Sequence, residues 1–504
     1  MQNDQSNKNK KMPATPESRE ALYDSMGKTI DMFSPILKEH IILKNLLDEN
    51  DSSINSKIHG AFLSLCIYSE YTSIELASVL RASFRANLDA EKRYNIKWIN
   101  CVILEDYKYL YGYGSQRKKS LWLSDIKPAL KADGDTELVQ DLDSLELCII
   151  EFGDKKVTNK EMRDLSFHYD LDPVSVYSML RELNEEDEVQ RLISFMRLLD
   201  KILSFTSKYI KKYNFTINKT SDRFPKYAFN WFEYDIFRNT KDLLLSESEK
   251  LVHNNSQRLD DFIKHQGIPA KMLYHFKELE KESIASIYKL VEIEKVAMQL
   301  LFLYIDLASA IKAFLTAEYP IERQLLLKQV NVIIYEGLNK IYNLNEESRD
   351  SFWSMYICPL MLQVKDNAIL MEFNLLNSEL QDFRYSILSN KDQRQSSVHL
   401  SKGVEEVYSM LDSLNPLVEL KKSLDIFNFL PKLLRFLTMC LNAIGINDQI
   451  IHEQKMAPTY EKIDNIIQLL KKSPDSEQKE DLIRKLEDIK SGKVFDELMR
   501  KKRN

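Results

Sequence analysis

The chain is 504 residues long, which is too long for a single hydrophobic core and predicts roughly two to four domains. It is 44% apolar and 29% charged but contains only 11 glycines and 13 prolines, and this scarcity of turn-forming residues favours long helices over many short strands. The formal net charge of −6 argues against broad, sequence-independent binding of nucleic acid, although it is compatible with a local site.

Cysteine usage and hydropathy predict a cytoplasmic protein without a membrane partner. The cysteines are scattered, and none falls in a C-x-x-C motif or a Cys/His cluster, so free thiols in a reducing compartment are expected. The polar N-terminus has no apolar core of a signal peptide. The most apolar window, 296–315, is interrupted by Gln299, Asp306 and Lys312, and therefore predicts a buried helix rather than a membrane span. No metal-ligand spacing or cofactor-binding motif is found in the sequence.

The pattern of apolar residues and breaks divides the chain into five segments. In order they are 1–56, a polar tail expected to be disordered and then an N-terminal helix; 57–213, a first helical repeat; 214–281, an aromatic-rich connector; 282–443, a second helical repeat; and 444–504, a charged helical tail. Two long helices are predicted at the start of the first repeat, over 58–93 and 95–111. The connector has no counterpart in either repeat.

The case for two repeats comes from a pattern that recurs at a fixed distance. Residues 163–180 and 394–411 each contain an arginine, four intervening residues and a histidine, and each ends in Val-Tyr-Ser-Met-Leu. The offset is 231 residues (394 − 163). A spacing this long indicates tandem domains rather than a solenoid.

The same offset aligns other residues without a gap from residue 97 onward, including Trp122 with Trp353. Upstream, residues 85–91 resemble 312–318 at an offset of 227, which places a four-residue change in the turn near 319–320. We therefore predict an all-α protein: two tandem homologous helical bundles packed as a pseudo-dimer, with an additional N-terminal helix and a C-terminal helical tail.

The recurring residues suit cleavage of RNA without a metal ion. Histidine titrates near neutrality and can accept or return a proton, and arginine binds phosphate oxygens through two N–H groups. His168 and His399, one from each repeat, would stand on opposite sides of one phosphate, with Arg163 and Arg394 holding it. Within each motif the two side chains are about 140° apart on a regular helix, so a non-helical start or a long arginine reach is expected.

Further polar residues recur around these four, at equivalent positions of the two repeats. The predicted supporting residues are Asp164, Gln395, Lys160, Lys391, Glu105 and Glu336.

An R-x4-H motif with a polar residue after the arginine (Asp164, Gln395), near the start of a late helix in an all-α domain, resembles that of the HEPN superfamily. The resemblance implies that two helical bundles pair so that both motifs face one cleft. It implies catalytic roles for the two Arg/His pairs and a metal-independent endoribonuclease of a phage-defence or toxin system, with RNA as its partner and no cofactor.

The residues leave a second hypothesis open. In this hypothesis each Arg/His pair is structural: the histidine bonds a backbone carbonyl, and the arginine bonds a carboxylate such as Glu105 or Glu336. For the two glutamates themselves, the alternatives are that they orient the Arg/His groups or that they face solvent. The protein would then be a non-catalytic all-α scaffold or regulator that binds a protein or nucleotide partner. Sequence alone leaves the RNA substrate, a regulatory protein partner and the oligomeric state open.

Overall fold

In the computed structural model, every regular element of the described part of the chain is a helix, which confirms the predicted all-α class. The structure describes residues 16–50, 54–112, 114–156, 173–212, 235–275, 281–342, 351–362, 364, 366–388 and 403–471, and a few positions between 480 and 487.

The first half begins with three long helices and ends with a fourth. In order, its helices are α1 (Pro16–Asn50), α2 (Ile54–Arg85), α3 (Asp89–Leu110), α4 (Lys127–Asp133), α5 (Thr136–Lys156), α6 (Pro173–Glu182) and α7 (Glu185–Lys212). A 3-10 turn at Gly114–Lys119 and a π-helix at Trp122–Ile126 lie between α3 and α4.

The second half follows the same plan. Its helices are α8 (Asp235–His275), α9 (Lys281–Thr316), α10 (Pro320–Tyr342), α11 (Cys358–Met361), α12 (Asn367–Leu388), α13 (Val404–Ser413) and α14 (Pro416–Lys471). The starts of α3 and α10, of α5 and α12, and of α6 and α13 are each 231 residues apart (320 − 89, 367 − 136 and 404 − 173). A second π-helix, Trp353–Ile357, recurs at the same offset (353 − 122).

The turn between the second and third helices of each half corrects two sequence predictions. The first break falls at 86–88, not at 93–95. There the Glu91 carboxylate accepts hydrogen bonds from the backbone N–H groups of Asn87 and Leu88, at 2.9 and 3.2 Å. Glu322, 231 residues later (322 − 91), does the same for the turn that precedes α10, at 2.9 and 3.3 Å. The offset therefore stays 231 through the turn, and the predicted change to 227 is wrong.

The connector prediction also needs correction. Residues 235–275 form a 41-residue helix, α8, which packs along α9 as α1 packs along α2. The segment therefore does have a counterpart, because it supplies the first helix of the second half. The aromatic cluster from Phe224 to Phe237 lies in residues whose side chains are outside the described part of the chain.

Two helices, α2 and α9, run through the core, and their side chains are buried over most of their length. The apolar window expected to be a buried helix lies in α9. Val291–Thr316 is the one stretch of the described residues that is long and apolar enough to cross a membrane, and its most apolar 18-residue window is wholly buried in the protein. This burial is typical of a core helix of a water-soluble protein.

The C-terminal helix differs from the prediction at one boundary. The charged tail was expected to begin at 444, but α14 continues without a break from Pro416 to Lys471. Its first half packs on α9, α10 and α12.

Candidate functional site

The eight motif residues lie outside the described part of the chain. Arg163, His168, Asp164 and Lys160 fall within 157–172, and Arg394, His399, Gln395 and Lys391 fall within 389–402. The described residues give the helices on either side. The first motif joins α5 to α6 and the second joins α12 to α13, which are equivalent pairs at the 231-residue offset.

The helix before the first motif packs on the C-terminal half of α3, whereas the helix after the second motif contacts α2 and α10. The last turns of α5, which lead into the first motif, pack on Tyr107, whose hydroxyl donates to the carbonyl of Ile149 at 3.2 Å. Glu405, in the first turn of α13 and just after the second motif, lies 3.9 Å from Lys44. Burial, and then the Glu405 carboxylate, raise the pKa of Tyr109. Tyr107 and Tyr109 point to different faces of α3, about 200° apart.

The two predicted supporting glutamates are buried. Glu105 is 9% exposed on α3, and Glu336 is 6% exposed at the equivalent place on α10. Lys108 lies 3.4 Å from the Glu105 carboxylate. The alternative that these glutamates face solvent is therefore wrong. Their relation to the motif side chains stays a prediction, because those side chains lie outside the described residues.

Eight buried ionisable side chains join the two halves in four ion pairs, which we call the cross-repeat ion pairs. Each links a cation of one half to a carboxylate of the other, and each recurs with both residues shifted by 231: Lys97–Asp306 with Lys328–Glu75, and Arg81–Glu322 with Lys312–Glu91. All eight residues are at most 6% exposed. The contacts between the halves are thus reciprocal.

Each cross-repeat pair is part of a larger set of contacts. Lys328 reaches Glu75 at 2.5 Å and the Tyr71 hydroxyl at 2.8 Å. Lys312 reaches Glu91 at 3.0 Å and also Glu249 of α8 at 2.8 Å. Because a buried charge is costly unless it is paired and hydrogen-bonded, these contacts bind the halves specifically to each other.

Arg81 is the counterpart of Lys312 and has the same two kinds of contact. Its guanidinium Nε lies 3.6 Å from Glu322 of the other half, and it donates to the backbone carbonyl of Tyr23 on α1 at 3.0 Å. Glu322 also accepts from Arg85 at 2.7 Å. In each half, a cation of the second helix thus contacts both its own first helix and the glutamate that accepts hydrogen bonds from the turn before the third helix of the other half.

Sequence reasoning missed these pairs, although a signal for them was present. Asp306 and Lys312 interrupt the most apolar stretch of the chain, and Glu75 and Arg81 occupy the equivalent positions in α2. Charges that recur at one offset inside apolar helices predict buried partners at that same offset.

One further carboxylate is buried beside this network. Burial, and next the charge of Glu75, hold the pKa of Asp106 well above its usual range, while Thr72 and Lys328 act in the opposite direction. At the 231-residue offset the second half has Gly337 in place of Asp106, and a Cβ there would meet Leu303, the counterpart of Thr72. The residues that the structure describes contain no group of side chains suited to hold a metal ion.

Two equivalent cavities open between the halves. One, of about 340 Å³, lies at the start of α3 and is lined by Tyr177 and Arg181 of α6. The other, of about 360 Å³, lies at the start of α10 and is lined by Tyr408 and Asp412 of α13. Their linings mix both signs of charge, and the Ser256 hydroxyl in the first cavity donates to the backbone carbonyl of Val252 at 2.7 Å, so they do not define an active site by themselves.

Comparison with known proteins gives no relative: no family model matches the chain, and neither a curated protein nor a solved structure matches it. The function therefore has to be argued from this chain's own residues.

Proposed function

We propose that this protein is a metal-independent endoribonuclease in which two HEPN-like halves form a pseudo-dimer and share one composite site. The observation that carries the proposal is the recurrence of R-x4-H at one offset, between equivalent helices of halves that exchange reciprocal buried ion pairs. Such reciprocity is what a twofold arrangement of two copies requires.

In the proposed reaction, one of His168 and His399 takes the proton of the 2′-hydroxyl, whose oxygen then attacks the adjacent phosphorus. The other histidine protonates the leaving 5′-oxygen, so the products are a 2′,3′-cyclic phosphate and a free 5′-hydroxyl. Arg163 and Arg394 stabilise the charge that accumulates on the phosphate oxygens in the transition state.

A basic turn supports the approach of an RNA backbone over the first half. Arg117, Lys118 and Lys119 end the 3-10 turn that follows α3, and all three are exposed. The Arg117 guanidinium lies 5.4 Å from the centre of the Tyr111 ring, at the end of α3 where α5 also packs. The equivalent segment of the second half reads Asn-Glu-Glu-Ser-Arg-Asp, at 345–350. Phosphates would therefore be attracted mainly over the first half.

The cellular setting is part of the same proposal. All five cysteines are free thiols, which fits a reducing cytoplasm. A role in phage defence or in a toxin system follows from the family resemblance, and the control of such an activity would require a regulatory protein partner.

The test is cleavage of a labelled RNA by the purified protein in excess EDTA. His168→Ala and His399→Ala are each expected to lower the rate about 100-fold or more, because each removes one arm of the acid–base pair. His452→Ala, in α14 and distant in sequence from both motifs, is the matched control and should cleave normally. Circular dichroism would establish that all three variants fold.

Three results would overturn the proposal: cleavage that survives both motif changes, cleavage abolished by EDTA, or no cleavage of any RNA by the unmodified protein. The last result would favour the alternative hypothesis, a non-catalytic scaffold or regulator.

A further inference from the structure

An apolar stripe runs along the outer face of α12. Met371, Leu375 and Tyr385 are 67%, 61% and 75% exposed, whereas the opposite face of the helix is buried in the second half. Positions 371, 375, 378, 382 and 385 are spaced four and three residues apart, so they form one line about 21 Å long, in which Ser378 and Asp382 separate Leu375 from Tyr385. Large exposed apolar groups in such a line are typical of a surface that contacts another helix.

The first half shows that the fold does not require this stripe. At the 231-residue offset, α5 has Gln140, Ser144 and Asp154 where α12 has Met371, Leu375 and Tyr385. All three polar residues are exposed, on a helix with equivalent bounds. Leu147 is the exposed apolar residue of α5, and Ser378 replaces it in α12. Two helices with the same place in the fold thus have faces of different character.

The charges beside the stripe indicate what would cover it. Glu372 and Glu379 lie along one flank, and Asp382 lies within the line itself. The Glu379 carboxylate accepts a hydrogen bond from Lys432 at 2.6 Å. A second copy packed antiparallel about a twofold axis would set this acidic flank against itself, which is unfavourable. An anionic membrane surface would be repelled for the same reason.

We propose that the outer face of α12 docks an amphipathic helix of another protein, with its apolar side on Met371 and Leu375 and basic residues along the acidic flank. The stripe accommodates about four turns of such a helix. Tyr385 ends the stripe four residues before the second motif segment begins in the chain. The inference does not depend on RNA cleavage.

The experiment uses two synthetic helical peptides, each about 16 residues long with a leucine stripe. One carries lysines beside the stripe, and the other carries glutamates at the same positions. Fluorescence anisotropy with the full-length protein should show binding of the lysine peptide that weakens as salt is raised. The double variant Met371→Gln/Leu375→Ser, which installs the residues of the first half, should bind at least tenfold more weakly.

Leu147→Ser, on the equivalent helix of the first half, is the matched control and should bind like the unmodified protein. The inference is overturned if the lysine peptide does not bind, if the glutamate peptide binds equally well, or if the double variant binds normally. It is also overturned if light scattering shows a dimer that the double variant abolishes, because a second copy would then occupy the face.

Discussion

Where the two halves of the chain contact each other they exchange ion pairs at equivalent positions, whereas the exposed faces of their outer helices differ. Lys97 and Lys328 each reach a buried carboxylate of the other half. On the outer helices, by contrast, Gln140 of α5 is replaced by Met371 of α12. The helices α5 and α12 keep equivalent bounds although their outer faces differ. The comparison teaches that the contact between the halves restricts the choice of residues more than the lengths and order of the helices do.

The largest effect on stability is expected from the removal of one cation from a cross-repeat ion pair. Lys97→Met and Lys328→Met should each destabilise the protein by about 3–5 kcal/mol, because each leaves a buried carboxylate without its partner. Urea unfolding would measure both variants. Lys250→Met is the control, since Lys250 pairs with Glu247 on the surface at 62% and 52% side-chain exposure, and it should change stability by less than about 0.5 kcal/mol.

A double variant sharpens this prediction. Lys97→Met/Asp306→Leu replaces the buried pair with apolar groups and should recover most of the stability lost by Lys97→Met alone. If the double variant is as unstable as the single one, the loss does not come from an unpaired charge.

The capping glutamates test the same reciprocity at a smaller scale. Glu91→Gln and Glu322→Gln keep one oxygen acceptor but remove the charge that faces the other half, so each should cost about 1–3 kcal/mol. Glu322→Gln should cost more, because Glu322 faces both Arg81 and Arg85. Thermal unfolding of the two variants side by side would measure the difference, and an equal cost would argue against a contribution from Arg85.

Asp106 offers a test that depends on pH. Its pKa is raised in the folded protein, so its contribution to stability is present at low pH and is lost as the pH rises through the folded value. Asp106→Asn should therefore stabilise the protein at pH 7.5 and have little effect near pH 4. Unfolding curves of the variant and the unmodified protein at both pH values would show this, and a gain of equal size at both would contradict it.

The smallest expected effect is on the outer face of α12. Met371→Gln should change the free energy of unfolding by less than about 0.5 kcal/mol, because Met371 is 67% exposed and the first half has glutamine at this place. Leu376→Ala, one residue beyond Leu375 but 1% exposed, should cost about 2–5 kcal/mol. Parallel urea titrations would test the contrast, and a large loss for Met371→Gln would mean that the residue packs within the protein.

Sequence reasoning recovered the helical class and the 231-residue offset, because helix periodicity and recurring tryptophans are local signals. It misplaced the offset upstream of 319–320, and the reason is physical. Four residues advance a helix by about 400°, only 40° more than a full turn, so a four-residue slip keeps apolar residues on nearly the same face. The contacts of Glu91 and Glu322 with their turns identify the correct register.

The same limit explains what sequence reasoning missed at the candidate site. The R-x4-H motif can be recognised in the sequence, but the partner of a buried charge is determined by the three-dimensional fold. Lys97 and Asp306 are 209 residues apart in the chain, and no local pattern joins them. The first helix of the second half was missed for a different reason: α1 and α8 pack on equivalent helices without recognisable sequence similarity.

Joining the two halves in one polypeptide changes what a single mutation does. In an assembly of two identical chains, each substitution appears twice at the contact and must be tolerated in both places. Here the first half has Thr72 beside Asp106, where the second half has Leu303 beside Gly337, so the two halves differ within their own packing. Covalent linkage therefore allows a division of labour, in which one half can specialise while the other keeps its original chemistry.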